Sequence, residues 1–246
     1  MKRRKEDFHN QLNTTDTTIN PNILHLMQIH DSAFPIGAYT HSFGMETFIQ
    51  KGSIHNRETL LSFCKTYLQA NLACGDGIIV KLAYLHTKQE NLEALRELDF
   101  LCNSMKVATE SRNGSMRMGR QFLQTLSNIE DGDLFSWWNR EVIEKRTKGH
   151  FAVTYGIYAA LLDIPLSLSI STFFYSSVSS LIHNAVRAIP LGQTDGVKAI
   201  HSLLDDFQKT AHHVLQLTED DLANNSIGIE LASMEHQFLF SRLFIS

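Results

Sequence analysis

The sequence predicts an all-α protein, a single-domain bundle of about ten helices, and three observations carry that prediction. Apolar residues recur at i, i+3, i+4 spacing through much of the chain, as in Leu60, Phe63, Cys64, Tyr67, Leu68 and Leu72. Alternating patterns of the strand type are scarce, and no fixed-period repeat appears. Only 4 Pro occur in 246 residues, most of them at predicted helix boundaries, where a residue without an N–H belongs. A chain of this length can bury a full core in one domain.

The elements follow in order. Residues 1–20 are polar, with a Thr/Asn run, and read as a mobile arm; residues 21–246 make the helical domain. Asn20-Pro21 reads as an N-cap with Pro at the first helical position. That helix, through Leu24, Met27 and Gln28, should stop before Phe34-Pro35. A second is expected over Tyr39–Lys51, ended by Gly52, and Asn56 should cap a third. Asp76 is a candidate cap for a helix over Gly77–Thr87. Leu92, Leu95, Leu98, Cys102 and Met105 mark the next stripe, and the stretch after Arg112 should run to Leu126, with Gly114 and Gly119 as weak points. Helices are then expected over Leu134–Lys145, Phe151–Leu162 and Leu166–Ala188. Val197, Ile200, Leu204, Phe207, Ala211 and Val214 give a later stripe, and Gly228–Leu239 the last helix.

Composition narrows the function. Apolar residues make up 43% and charged residues 20% of the chain, and the net charge is -4. This fits a globular protein and offers no basic footprint for nucleic acid. The charged start, Met1-Lys-Arg-Arg-Lys, lacks a following apolar h-region, which argues against a secretory signal. Ile164–Ile182 is uncharged but rich in Ser and Thr, so a buried helix is expected rather than a membrane span. Cys64, Cys74 and Cys102 lack CxxC spacing and fit free thiols in a reducing cytoplasm.

Candidate chemistry is thin. Of the 12 His, His212 and His213 are adjacent and diverge on a helix, and His25 and His30 are also misplaced for chelation, so no metal site is expected. No G-x-S-x-G elbow is present, and Gly75-Asp-Gly77 lacks the phosphate-loop pattern. No catalytic residue or cofactor is assigned.

Two blocks stand out. Asp31-Ser-Ala-Phe-Pro-Ile-Gly-Ala-Tyr-Thr-His-Ser-Phe-Gly-Met-Glu46 reads as a helix stop, a tight turn and a new helix, in which Asp31 or Ser32 satisfies free N–H groups. His41, Ser42 and Glu46 follow the turn, either as parts of a well-made corner or as a polar patch at a partner surface or internal passage. In Ala185-Val-Arg-Ala-Ile-Pro-Leu-Gly-Gln-Thr-Asp-Gly196, Arg187 falls in the last turn of a helix, where a cation suits the dipole. Gln193 lies in the turn that follows, and Asp195 is a candidate cap. The C-terminal end is apolar where ends are usually polar. Phe238, Leu239, Phe240, Leu243, Phe244 and Ile245 either pack on their own core or await a partner, and Arg242 among them suits an interface. The partner reading is favoured here.

Together these pieces resemble the UreF family of urease accessory proteins. The resemblance runs from about Leu24 to Ser246 and rests on Phe34-Pro-Ile-Gly37 with His41-Ser-Phe-Gly-Met-Glu46, Gly75-Asp76, Glu110-Ser-Arg112 with Met118-Gly-Arg120, Gly149-His150, Tyr155-Gly156, Arg187-Ala-Ile-Pro-Leu-Gly-Gln193, and His236 with Arg242-Leu-Phe244. It implies a cytoplasmic, all-α homodimer without enzyme activity, a scaffold bridging UreD/UreH and the GTPase UreG in nickel insertion into apo-urease. It also implies a tail, Phe240 and Arg242–Phe244 with His236, that docks on UreD/UreH, and a dimer surface that receives UreG. His41, Ser42, Glu46, Arg187 and Gln193 are then candidates for a polar patch or channel. Two other readings are a direct His-based nickel chaperone and a factor regulating GTP hydrolysis by UreG, with Arg187, Arg112 or Arg242 as the supplied arginine. Met45 stands where the family commonly has Leu, and Gln237 where an acidic residue is frequent.

Overall fold

The computed structural model describes residues 22–129, 132–223 and 226–245, so the polar arm expected over residues 1–20 lies outside the described residues. Every long element is helical, and the described residues contain no strand. In chain order the helices are α1 (Ile23–Ile29), α2 (Met45–Gln50), α3 (Arg57–Thr66), α4 (Ile78–Lys88), α5 (Leu92–Met105), α6 (Thr109–Leu126), α7 (Asp133–Ile143), α8 (Phe151–Leu161), α9 (Leu166–Ala188), α10 (Gln193–Ser202), α11 (Leu204–Gln216) and α12 (Ile227–His236). Short 3-10 turns cover Ala38–Thr40 and Glu219–Asp221.

The centre of the bundle is α8. Its sequence, Phe151-Ala-Val-Thr-Tyr-Gly-Ile-Tyr-Ala-Ala-Leu161, is apolar on every face, and all but its last residue is buried, as expected of a helix surrounded by others. Small residues let its neighbours close in. A Cβ on Gly156 would lie 2.6 Å from the Val80 carbonyl oxygen of α4. Phe122, Tyr155 and Phe173 bring α6, α8 and α9 together through ring contacts with Phe151. The fully buried Trp138 of α7 donates its indole N–H to Thr154 Oγ1 at 3.1 Å, so a large side chain enters the core with its polar atom satisfied.

Several boundaries lie where the sequence puts them. Asn56 caps α3, accepting the Thr59 N–H at 2.9 Å in a capping box. Asp31 accepts the Ala33 N–H at 2.7 Å after α1. α9 spans the predicted Leu166–Ala188 between Pro165 and Pro190. Val197 to Val214 is broken at Leu203 into α10 and α11.

Two departures shape the site. The helix expected over Tyr39–Lys51 is interrupted after the Ala38–Thr40 turn: Phe43 and Gly44 take φ of +48° and +86°, and α2 starts at Met45. Gly44 is needed there, because a Cβ would meet Ser233 Oγ at 2.7 Å and the Ile229 carbonyl oxygen at 2.9 Å, where α12 crosses the start of α2. The second departure is continuity from α3 to α4. Helical backbone runs on through Tyr67–Gly77 in π-type turns, so Asp76 caps nothing. Its carboxylate instead accepts Lys106 Nζ at 2.7 and 3.0 Å. Burial works against the Lys106 charge, but the Asp76 carboxylate outweighs it and raises its pKa.

Candidate functional site

The first block, the second block and the C-terminal tail meet in one junction. Asn184 of α9 donates to the His41 carbonyl at 2.9 Å, and Arg187, in the last turn of α9, donates to the Tyr39 carbonyl at 3.4 Å. The tail comes to the same place: Ile245 donates its N–H to the Thr40 carbonyl at 2.8 Å, and Arg187 lies over the Phe244 ring, 5.6 Å from its centroid. Arg187 therefore does more than complement a helix end; it roofs a tail residue.

Glu46 holds the tail backbone. It is 5% exposed, and its carboxylate accepts the N–H of Leu243 at 2.7 Å and of Phe244 at 3.2 Å. It also receives His236 Nε2 at 2.8 Å. The other ring nitrogen, Nδ1, faces Glu110 at 2.6 Å, and Glu110 accepts Arg242 at 2.9 Å. The imidazole thus bridges two acidic side chains, one on each ring nitrogen. The result is a hydrogen-bonded chain, Glu46–His236–Glu110–Arg242, buried at Glu46 and His236 and reaching the surface at Arg242, that ties α2, α6, α12 and the tail together. The ring separates the two carboxylates, so they do not converge on a point. Among the described residues no group of three or more His, Cys, Asp or Glu is arranged to hold a metal ion.

The predicted partner residues divide into two sets. His236 is fully buried and Phe244 is 4% exposed, so both serve the seat of the tail rather than its outer face. Phe240 is fully exposed, Phe238 is 80% exposed, and Leu243 and Ile245 are each half exposed. Arg242 lies on the surface above Glu110. On α12, Ile227 and Leu231 are also exposed, one turn apart. The tail thus packs on its own core through one ring and turns its other large side chains to solvent.

The polar-patch candidates are also dispersed. His41 lines a cavity of about 90 Å³, shared by Ser111, Ser115, Asp76 and Lys106, whereas Ser42 and Glu46 are buried outside it. Ser42 Oγ accepts the Glu46 N–H at 3.4 Å and supports the start of α2. The His41 ring sits on Gly114, where a Cβ would lie 3.1 Å from Nδ1. Burial first, then the Arg117 charge, lowers its pKa to about 4. Gln193 is exposed at the start of α10, and Asp195, in the first turn, makes no side-chain cap. Arg112 is committed locally, donating to the Lys106 carbonyl at 2.8 Å.

Sequence reasoning missed Glu110 as the hub between His236 and Arg242, and Lys106 as the partner of Asp76. The only signal for the first was the presence of acidic, histidine and arginine residues in three separate motifs. Cys64 and Cys102 are buried, Cys74 is partly so, and burial pushes the Cys64 thiol up to about 12, which keeps it inert.

These features define a helical protein that displays a tail tethered to its core by a chain of hydrogen bonds. The family model for UreF matches residues 54–204. The urease accessory protein UreF of Sporosarcina pasteurii is 49% identical over 202 residues, covering 82% of this chain and all of that protein. The UreF of Lachnoclostridium phytofermentans is 34% identical over 224 residues, covering 91% and 98%. The chain belongs to the UreF family.

Proposed function

We propose that this chain is a non-enzymatic scaffold of urease maturation, a cytoplasmic homodimer that bridges UreD/UreH and the GTPase UreG to promote nickel insertion into apo-urease. Family membership supports the maturation role. The tail supports the bridging role: its backbone is pinned at Glu46, while Phe238, Phe240, Leu243 and Ile245 stand in water. Holding aromatic anchors in place before binding lowers the ordering cost of an interface. Exposed aromatics of this kind, with Arg242 beside them, have the composition of a binding hot spot. In this reading UreD/UreH covers the tail, and UreG is received on the dimer surface.

The test is a Phe238→Ser/Phe240→Ser variant, mixed with UreD/UreH and followed by size-exclusion chromatography with light scattering. Neither ring packs on the core, so the variant should keep the wild-type melting temperature and lose the complex. Wild-type binding by this variant would reject the tail as the docking surface.

A further inference from the structure

A cleft of about 510 Å³ lies between α6, α7 and the loop of residues 144–149, and it shares no residue with the tail junction. Its lining is basic: Arg120, Lys145 and Lys148 all border it. None of the three makes an ion pair among the described residues, although carboxylates are close in sequence. Those carboxylates are occupied. Glu141 takes Arg96 at 2.8 Å and Arg146 at 2.8 Å, Glu144 pairs with Arg146, and Asp99 accepts the backbone N–H groups of Lys148, Gly149 (3.1 Å) and His150 (2.9 Å). Arg120 spends only Nε, on the Lys148 carbonyl at 3.2 Å, and Lys148 Nζ otherwise lies 6.0 Å from the centre of the Phe100 ring.

The loop is rigidly set. Asp99 grips it from behind, and Gly119 lets it rest on α6, since a Cβ there would lie 2.1 Å from the Gly149 carbonyl oxygen. Lys145 holds φ of +61°, a conformation that a side-chain-bearing residue keeps only when its surroundings impose it. Thr147 lines the cleft, is 1% exposed, and its buried hydroxyl has no hydrogen-bond partner. Arg120 and Lys145 are exposed to solvent there, so their donors are free to meet an anion. Val142 and Ile143 add apolar wall, and Gln124 and Asn139 add amides. This is the chemistry of a site for a small organic anion.

We propose that this cleft binds a phosphate ester of nucleotide size. The phosphate sits among Arg120, Lys145 and Lys148, which favour a multiply charged oxyanion. The organic body lies against Val142 and Ile143.

The experiment is a titration of the isotopically labelled full chain by NMR at low salt, with ADP, AMP, inorganic phosphate and adenosine as separate probes. ADP and AMP should shift the backbone amides of residues 145–149 saturably. Phosphate should displace them, and adenosine alone should leave those amides unmoved. In a Lys145→Gln/Lys148→Gln variant, whose fold is checked by its amide spectrum, affinity should fall about tenfold or more. The proposal is overturned if no phosphate probe shifts the loop, if adenosine binds as well as AMP, or if the variant binds unchanged. It is also overturned if phosphate probes fail while the variant loses a protein partner, which would make the cleft an acidic-surface contact.

Discussion

His150 is a base kept neutral by its surroundings. Its Nε2 faces the Asn103 carbonyl oxygen at 3.3 Å and its Nδ1 the Ser115 hydroxyl at 3.0 Å, a set that suits one donor and one acceptor nitrogen. Burial, then nearby Lys106 and other cations, lower its pKa to about 3. Burial likewise lowers His30 to about 4, and burial with Arg117 lowers His41 to about 4. The native state therefore binds fewer protons than the unfolded chain below the ordinary histidine value of 6.5. Stability from these groups is complete above that pH and is lost as pH falls towards the native values. Each fully buried histidine steepens the loss by about 1.4 kcal/mol per pH unit across its window. Urea midpoints should be flat from about pH 8 to 7 and fall below about 6.5. A His150→Gln variant should show a shallower fall, and an identical slope would contradict the assignment.

At the scale of elements, close approach decides what the sequence only hinted. Gly119 reads as a weak point in a helix, yet it is where the 144–149 loop rests on α6. Gly119→Ala would drive a methyl into the Gly149 carbonyl, a backbone atom with no free rotation, and should cost about 1–3 kcal/mol or more. A thermal melt measures this, and a variant as stable as wild type would mean that the loop can shift. Elements with local signals were legible: Asn56 and its capping box, Asp31 after α1, and α9 between two prolines. Elements set by distant partners were not. Asp76 looks like a cap until Lys106, at the end of α5, takes its carboxylate. Tyr39–Lys51 looks continuous until α12 presses on Gly44 and forces a break. The hydrogen-bonded chain was legible in kind, since Glu46, His236 and Arg242 all drew notice, but not in geometry, because Glu110 and His236 are far apart in sequence and meet only when α12 is seated.

For the whole molecule, the tail is both part of the fold and the proposed partner surface, and this changes how it should be removed. Cutting at Met234 looks harmless in the sequence, but it deletes His236 and leaves Glu46 and Glu110 without the ring that joins them. Uncompensated buried charge of this sort costs about 3–5 kcal/mol. Cutting after Gln237 keeps His236 in place but removes the Leu243 and Phe244 N–H donors to Glu46, Arg242 on Glu110, and the burial of Phe244. The burial of Phe244 alone is worth about 2–3 kcal/mol. Melting temperatures should therefore rank full length first, the chain ending at Gln237 second, and the chain ending at Ser233 last. Both truncations should fail to bind UreD/UreH, whereas Phe238→Ser/Phe240→Ser should fail without a loss of stability. If the chain ending at Ser233 melts with the one ending at Gln237, His236 contributes nothing to the fold.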